Sequence, residues 1–242
     1  MTEMSQPIDE DSWRGIIEAL ENLLPYYERT NIVNTWFLLP LWRRELSGRV
    51  AREDTVLEIG SGPGGLATLL KARKVVCLDP SREMLSYARN KLDGGRYRFA
   101  SALAEKLPFA SATFDKVLCS FSFRDFMDKP LAFREMLGVI RPGGRLHVLE
   151  LLRPDPGWRR AFMDAWIDKA VPAIARMLVP RDAMAKWGVN PYSSFGMTYK
   201  AMSPIGEYVR MAGEAGFEDV TYRFLGMKSI FHLQGVRPRT TL

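Results

Sequence analysis

The residues best suited to chemistry lie in the stretch Val56–Ala67, VLEIGSGPGGLA. Gly60, Gly62 and Gly65 spell the G-x-G-x-x-G of dinucleotide-binding loops. Glu58, Gly60, Gly62 and Gly64 spell an acidic-x-G-x-G-x-G pattern found in loops that hold S-adenosylmethionine (SAM). Both patterns need glycine for one reason: the turn must tighten so that backbone, Ser61 included, can approach a ligand at a helix N-terminus. Asp79 follows about 20 residues later, where a carboxylate can take both ribose hydroxyls of either ligand. Two features favour SAM. The carboxylate of Glu58 attracts the cationic amino-acid end of SAM and would repel a pyrophosphate. Met84 and Leu85, just beyond Asp79-Pro80, are placed to cover an adenine face, although simple core packing explains them equally well.

These residues need strands and helices to present them. Short β-rich runs alternate with helical stretches from 55 to 150. Thr55–Ile59, Lys74–Asp79, Arg96–Ala100, Phe114–Ser120 and Arg145–Leu151 read as strands. Helices are expected to start in GGLATLLKA, to run through SREMLSYARNKL with Ser81 as cap, and to cover Lys129–Val139 up to Pro142-Gly143-Gly144. Strand–helix alternation implies right-handed crossovers and a mostly parallel sheet, and the nearly continuous apolar runs fit strands covered on both faces. Aromatic-rich helices are expected over 10–47. A long helix, WRRAFMDAWIDKAVPAIARMLV, is kinked by Pro172 and leads into a lid-like loop up to Lys200. A short helix after Pro204 ends at Ala215-Gly216, and two strands follow near 217–224 and 227–234.

Bulk properties narrow the class. The 242 residues are 47% hydrophobic, enough for a sizeable core. The opening residues are polar and acidic, unlike a secretory signal, and charges or prolines interrupt every long apolar run. A cytoplasmic protein is therefore expected. The formal charge of +6 favours an acidic partner, an anionic lipid surface among them, but the basic residues are spread out and no nucleic-acid signature accompanies them. Cys77 and Cys119 read as core thiols. His147 and His232 are too few and too far apart for zinc, so no metal is expected.

The stretch Leu107–Pro154 closely resembles SAM-dependent methyltransferases that C-methylate ubiquinone and menaquinone precursors (the UbiE-like family). The resemblance is carried by Leu107-Pro108-Phe109, Phe114-Asp115, Ser120-Phe121, Arg124, Arg134-Glu135-Met136 and Arg141–Leu146 leading to Glu150. Tyr27-Glu28-Arg29-Thr30-Asn31 with Trp42-Arg43-Arg44 is similar to the family's N-terminal elements, and Ala215-Gly216-Phe217 to its tail. Three departures stand out. Leu103-Ala104-Glu105 replaces Asp-Ala-Glu, Phe123-Arg124-Asp125 replaces Leu-Arg-Asn, and Tyr192-Ser193-Ser194-Phe195 lacks the family's second tyrosine.

The resemblance implies an α/β, Rossmann-like class I fold: a seven-stranded, mostly parallel sheet with helices on both faces. It also implies an N-terminal helical segment covering the site (1–47), a SAM-binding core (48–154), a helical cap and acceptor region (155–203), and a C-terminal helix with the last strands of the sheet (204–242). SAM is the implied cofactor and S-adenosylhomocysteine (SAH) its product. The cofactor would be held by Glu58, Gly60, Ser61, Gly62, Gly64, Asp79, Pro80, Met84, Leu103, Ala104 and Ser120. The acceptor would be a lipophilic ring, with Arg124 stabilising a phenolate, Asp125 or a water as base, and Tyr27 orienting the acceptor or the cofactor. Glu150 faces the same crevice, unless it only holds Arg145 or Arg153. Trp158, Phe162, Trp166, Ile167, Val171 and Ile174 are either core or a surface for a greasy tail or an anionic bilayer. An amine, hydroxyl or phospholipid-head-group acceptor remains an alternative. So does a catalytically silent subunit of a membrane-associated complex, and an oligomer is compatible with either.

Overall fold

The computed structural model describes residues 10–185, 187 and 191–239, with the side chains of 193 and 194 left out. The departure noted at Ser193-Ser194 and part of the expected lid therefore lie outside the described residues. In chain order the helices α1 (Glu10–Asn22), α2 (Tyr27–Asn34) and α3 (Leu39–Ser47) precede β1 (Thr55–Ile59), β2 (Lys74–Leu78), α4 (Arg82–Lys91), β3 (Tyr97–Ala100), β4 (Phe114–Ser120), α5 (Lys129–Val139) and β5 (Ile140–Leu151). The cap is α6 (Trp158–Ala165), α7 (Val171–Leu178), α8 (Arg181–Met184) and α9 (Pro191–Lys200). The chain closes with α10 (Ile205–Ala215), β6 (Glu218–Leu225) and β7 (Ile230–Val236).

All seven strands form one sheet of order β3-β2-β1-β4-β5-β7-β6. The first five are parallel, and β7 is antiparallel to both of its neighbours. Alternate side chains of each buried strand feed two cores. Leu57, Ile59, Val117 and Val148 pack with Phe133, Met136, Tyr208 and Ala212 of α5 and α10. Val56, Val75, Leu118 and Leu149 pack with Trp42 and Leu46 of α3 and Leu85 and Ala88 of α4. The strand order reverses at β1, and the crevice beyond the carboxyl ends of β1, β2 and β4 is where such sheets bind ligands.

Local chemistry explains most boundaries. Ser81 accepts the Met84 N–H at 3.0 Å and caps α4, and Asp128 accepts from Leu131 at 2.8 Å and caps α5. Gly216, left-handed at φ 106°, ends α10. Four expectations change. No α-helix follows β1: Gly62 and Gly64 are left-handed (φ 52° and 78°), so only a single 3₁₀ turn forms at Ala67–Leu69. β5 begins five residues earlier than expected, because Ile140 already pairs with Phe114 before a bulge. The stretch before Lys200 is not all loop, since Pro191 opens the ten-residue helix α9. The last two strands also lie further along the chain than expected, at Glu218–Leu225 and Ile230–Val236.

Pro172 does not break the cap helix. A π-turn at Trp166–Ala170 lets the Val171 N–H reach back to Trp166 O, so the ladder widens just ahead of the residue that has no N–H. Deep in the sheet, His147 Nδ1 and His232 Nε2 lie 3.1 Å apart. Burial lowers both, His147 to about 3 and His232 to about 4, so the pair is neutral in the fold. Among the described residues no helix is long and apolar enough to cross a membrane.

Candidate active site

The strand register sets the first layer of the site. Ile59 pairs with Leu78 on one side and Cys119 on the other, so Gly60 stands between Asp79 and Ser120 at the strand tips. Asp79 accepts the Gly62 N–H at 2.8 Å and the Ser81 N–H at 3.0 Å. Burial pushes its carboxyl up to about 6, against these two bonds. The glycines have different jobs. At Gly62 an added Cβ would meet open space. At Gly60 it would strike Ser122, at Gly64 Leu92, and at Gly65 the paired Glu28 and Arg43. Gly62 alone among these four could admit a Cβ without a clash, while Gly60, Gly64 and Gly65 are required by packing.

Behind the loop lies an acidic cluster with one cation. Glu28 and Arg43, from α2 and α3, pair at 2.7 Å over Gly65. Glu58 is buried, accepts from the Ala67 N–H, and leaves Oε2 with no hydrogen-bond partner. Burial pushes Glu58 up to about 8, with Asp79 and Glu28 adding to the shift and Arg43 opposing it. A buried carboxyl with a free oxygen behind the loop, near enough to the Asp79 carboxylate to feel its charge, fits a site for a cationic amino acid joined to a ribose. SAM is such a ligand. Pro80, Leu103 and Ala104 line the same crevice beyond Asp79, and Met84 lines it beside Gly62.

Arg124 forms the wall between this crevice and a second, apolar cavity. Its guanidinium meets Glu150 Oε1 at 2.9 Å and donates to Phe121 O at 2.7 Å, while its backbone N–H donates to Glu150 Oε2 at 3.1 Å. The Phe195 ring lies 5.0 Å from the guanidinium carbon. Burial works against the charge, but the Asp125 and Glu150 carboxylates hold it more firmly protonated than a free arginine. The apolar cavity encloses about 940 Å³ of empty space, its mouth included, and Trp36, Leu39, Met163, Trp166 and Ile167 are among its walls. Tyr27 and Arg124 line both spaces. Burial raises the Tyr27 phenol, against the nearby Arg124 and Arg43 charges.

The expected site residues divide accordingly. Gly60, Gly62, Asp79, Pro80, Met84, Leu103 and Ala104 face the crevice. Gly64 packs on Leu92 instead, and Ser61 and Glu58 sit behind the loop. Ser120 faces the apolar cavity, its hydroxyl buried without a partner. Asp125 lies on the crevice side, 3.6 Å from Arg124, and does not line the apolar cavity. Glu150 holds Arg124, and Arg153 pairs with Asp164. Sequence reasoning missed Ser122 and the crevice-facing side chains of α1. The i, i+4, i+7 spacing of Trp13, Ile17 and Leu20 was the available signal for the last of these.

The fold and this crevice define a class I SAM-dependent methyltransferase. Solved structures share the fold at low identity. One is a SAM-dependent methyltransferase from Thermotoga maritima (TM-score 0.61, 18% identity, 92% of this chain and 99% of that one). Another is phosphoethanolamine N-methyltransferase 2 from Haemonchus contortus with SAH bound (TM-score 0.60, 15% identity, 82% of this chain and 52% of that one). Residues 10–236 match the ubiE/COQ5 methyltransferase family, and the chain belongs to that family. It is 34% identical to the ubiquinone/menaquinone biosynthesis C-methyltransferase UbiE of Azotobacter vinelandii, over 93% of this chain and 90% of that protein. It is 31% identical to the UbiE of Xylella fastidiosa, over 87% and 85%. The protein is a SAM-dependent methyltransferase.

Two predictions follow from the geometry. Arg124→Ala leaves Glu150 buried without its cation and should cost roughly 3–5 kcal/mol of stability, read as a lowered denaturation midpoint; Arg124→Met with Glu150→Leu should recover most of it. A single variant as stable as the wild type would show that the pair does not hold the wall. Glu58 carries a proton in the unliganded protein up to about pH 8. An ammonium placed beside it favours the ionised form. SAH binding at pH 7 should therefore release protons, and affinity should rise from pH 6 towards 8. Calorimetry in buffers of different ionisation enthalpy reads this directly. A buffer-independent enthalpy would count against the Glu58 contact, and Glu58→Gln should abolish the release.

Proposed function

We propose that the protein methylates a ring carbon of a lipophilic quinol of the ubiquinone or menaquinone precursor class. The carrying observation is that the apolar cavity and the cofactor crevice meet at Arg124 and Tyr27. When bound, SAM supplies a methyl group on a sulfonium, and the protein must align the acceptor and keep water away. Gly62 and Asp79 would hold the amino-acid and ribose parts, with Glu58 supplying negative charge from behind the loop, while Pro80, Met84, Leu103 and Ala104 would face the base.

A ring carbon becomes nucleophilic when a neighbouring phenol loses its proton. Arg124, fixed by Glu150, presents a permanent cation where a phenolate would form. Tyr27 and Ser120 offer hydroxyls at the same end. Among the described residues lining the apolar cavity there is no carboxylate and no histidine. The proton therefore leaves through Asp125, which reaches in from the crevice side by way of a water, or passes to solvent. That composition disfavours a cationic amine or head-group acceptor, which would call for carboxylates in the cavity.

The mouth of the cavity supports delivery from an anionic bilayer. Trp36, Phe162 and Trp166 form a three-ring cluster: Phe162 stacks on Trp36 and on Trp166, with ring centroids at 6.1 and 6.4 Å, and Trp36 meets Trp166 tilted, at 4.7 Å. Trp36 and Phe37 both adopt left-handed backbone (φ 49° and 62°), a strained conformation for bulky residues. That turn leaves Phe37 67% exposed, and Trp158 is equally exposed one helical turn before Phe162. The sequence pattern allowed these aromatics to be core. The structure puts Ile167 and Val171 inside and leaves Trp158 and Phe162 exposed. Arg159 lies over the Trp158 ring, 5.2 Å from its centroid, so cation and aromatic are together as a lipid interface requires.

Incubation with methyl-labelled SAM and demethylated quinols should place label on ring carbon. Label confined to oxygen, nitrogen or a phospholipid would overturn the reading. Arg124→Lys keeps the charge but loses the fork. It should lower turnover about 10²-fold while SAH affinity stays within about threefold. On flotation, the protein should bind vesicles containing anionic lipid more than zwitterionic ones, and Phe37→Ser with Trp158→Ser should abolish binding without altering methylation of a tail-less quinol. Equal flotation of that double variant would sink the membrane contact alone.

A further inference from the structure

Helix α1 has two apolar sides. Ile16 and Ala19 are fully buried, and the helix packs on α9. Trp13, Ile17 and Leu20 form the second side and are only half-buried. All three line the crevice, together with Gly60, Asp79, Pro80, Leu103 and Ala104. The helix is tethered there by a polar contact at its far end. The Ser81 hydroxyl donates to Glu21 Oε1 at 2.5 Å, two residues past Asp79 and at the cap of α4. Half-buried apolar side chains aimed into an opening leave apolar surface that a flat ligand can cover.

The part of the crevice beyond Asp79 has apolar side chains on two sides, with Glu105 and Asp125 also in its lining. Pro80, Leu103 and Ala104 form one, and α1 supplies the other. Position 103 offers no carboxylate to the exocyclic amine of a base. Of the two carboxylates that line this part, Glu105 already accepts the Met127 and Asp128 N–H groups at Oε1, at 2.8 and 3.1 Å, and Asp125 is ion-paired with Arg124 at 3.6 Å. Stacking must therefore supply much of the grip on the base. The one aromatic ring that α1 brings to this end is Trp13.

We propose that α1 is the cover of the cofactor crevice and that Trp13 is an adenine-binding residue, packing its indole on the base against the Pro80–Leu103–Ala104 wall. The proposal rests on the assignment of the crevice to SAM. Base–aromatic stacking is worth enough to change affinity about tenfold or more. It acts on the nucleoside end alone, so adenosine should report it as fully as SAH does.

The test is titration of the full chain with SAH and with adenosine, followed by calorimetry and by indole emission. Trp13→Ala should weaken both ligands about tenfold. Trp13→Phe, which keeps a ring, should weaken them less than threefold and should remove most of the SAH-induced emission change seen in the wild type. Wild-type affinity for adenosine in Trp13→Ala, or an undiminished emission change in Trp13→Phe, would overturn the proposal. Asp79→Ala separates the two levels. If it weakens SAH while the Trp13 variants do not, only the role of α1 fails. If it also binds SAH normally, the assignment of the crevice fails with it. Trp13→Phe is a conservative change at a half-buried site, so its emission readout remains available should Trp13→Ala fold poorly.

Discussion

The buried pair of Arg124 with Glu150 is the constraint around which the site is arranged. Glu150 ends a parallel strand in the middle of the sheet and is fully buried. A carboxylate there is tolerable only because it is saturated: the Arg124 guanidinium, the Arg124 N–H and the Leu151 N–H all reach it. This contact bends the chain leaving β4 back onto β5 and fixes Phe123–Asp125 as a 3₁₀ turn. The turn places Ser122 against Gly60 and Ile59 O, so the loop after β1 and the loop after β4 share one wall. The same arginine is the partition between a polar crevice and an apolar cavity. A charge that would be costly in isolation becomes a fixed cation at the junction of the two spaces.

Electrostatics on the other side of that wall run the opposite way. Glu28, Glu58 and Asp79 converge behind and beside the glycine loop, with Arg43 as the counter-charge. An anionic ligand would meet repulsion there, whereas a cationic one relieves the burial of Glu58. The two halves of the site are thus tuned to opposite charges: a cation-seeking crevice and an apolar cavity ending in a cation. They meet at Tyr27, carried by a helix that belongs to neither core of the sheet.

Much of this was legible from residue types and order. The strand runs are continuous apolar stretches and the Ser81 cap is local, so alternation and that cap located β1, β2, β4, α4 and α5 within a residue or so. Asp79 and the glycines mark the crevice because strand-tip geometry forces them together whatever the surroundings. Errors fell where non-local partners override local preference. The run GGLATLLKA looks helical, yet Gly65 must admit the Glu28–Arg43 pair and the left-handed glycines delay any helix. The sequence pattern has Glu150 facing the crevice or holding Arg145 or Arg153, whereas the fold pairs it with Arg124, because charge alone does not choose among arginines distant in sequence.

Chain order and side-chain chemistry were enough for the parallel sheet, the glycine loop with its acidic partner, and the family they belong to, since each depends on short-range spacing and hydrophobic pattern. Three things required the folded chain: that Gly64 and Gly65 serve packing while Gly62 stays bare, that Asp125 faces the crevice and not the cavity, and that Trp13, Ile17 and Leu20 are the α1 side chains lining the crevice with Asp79. Each depends on contacts between segments far apart in the chain, where burial, sterics and charge are settled jointly and no local pattern records the outcome.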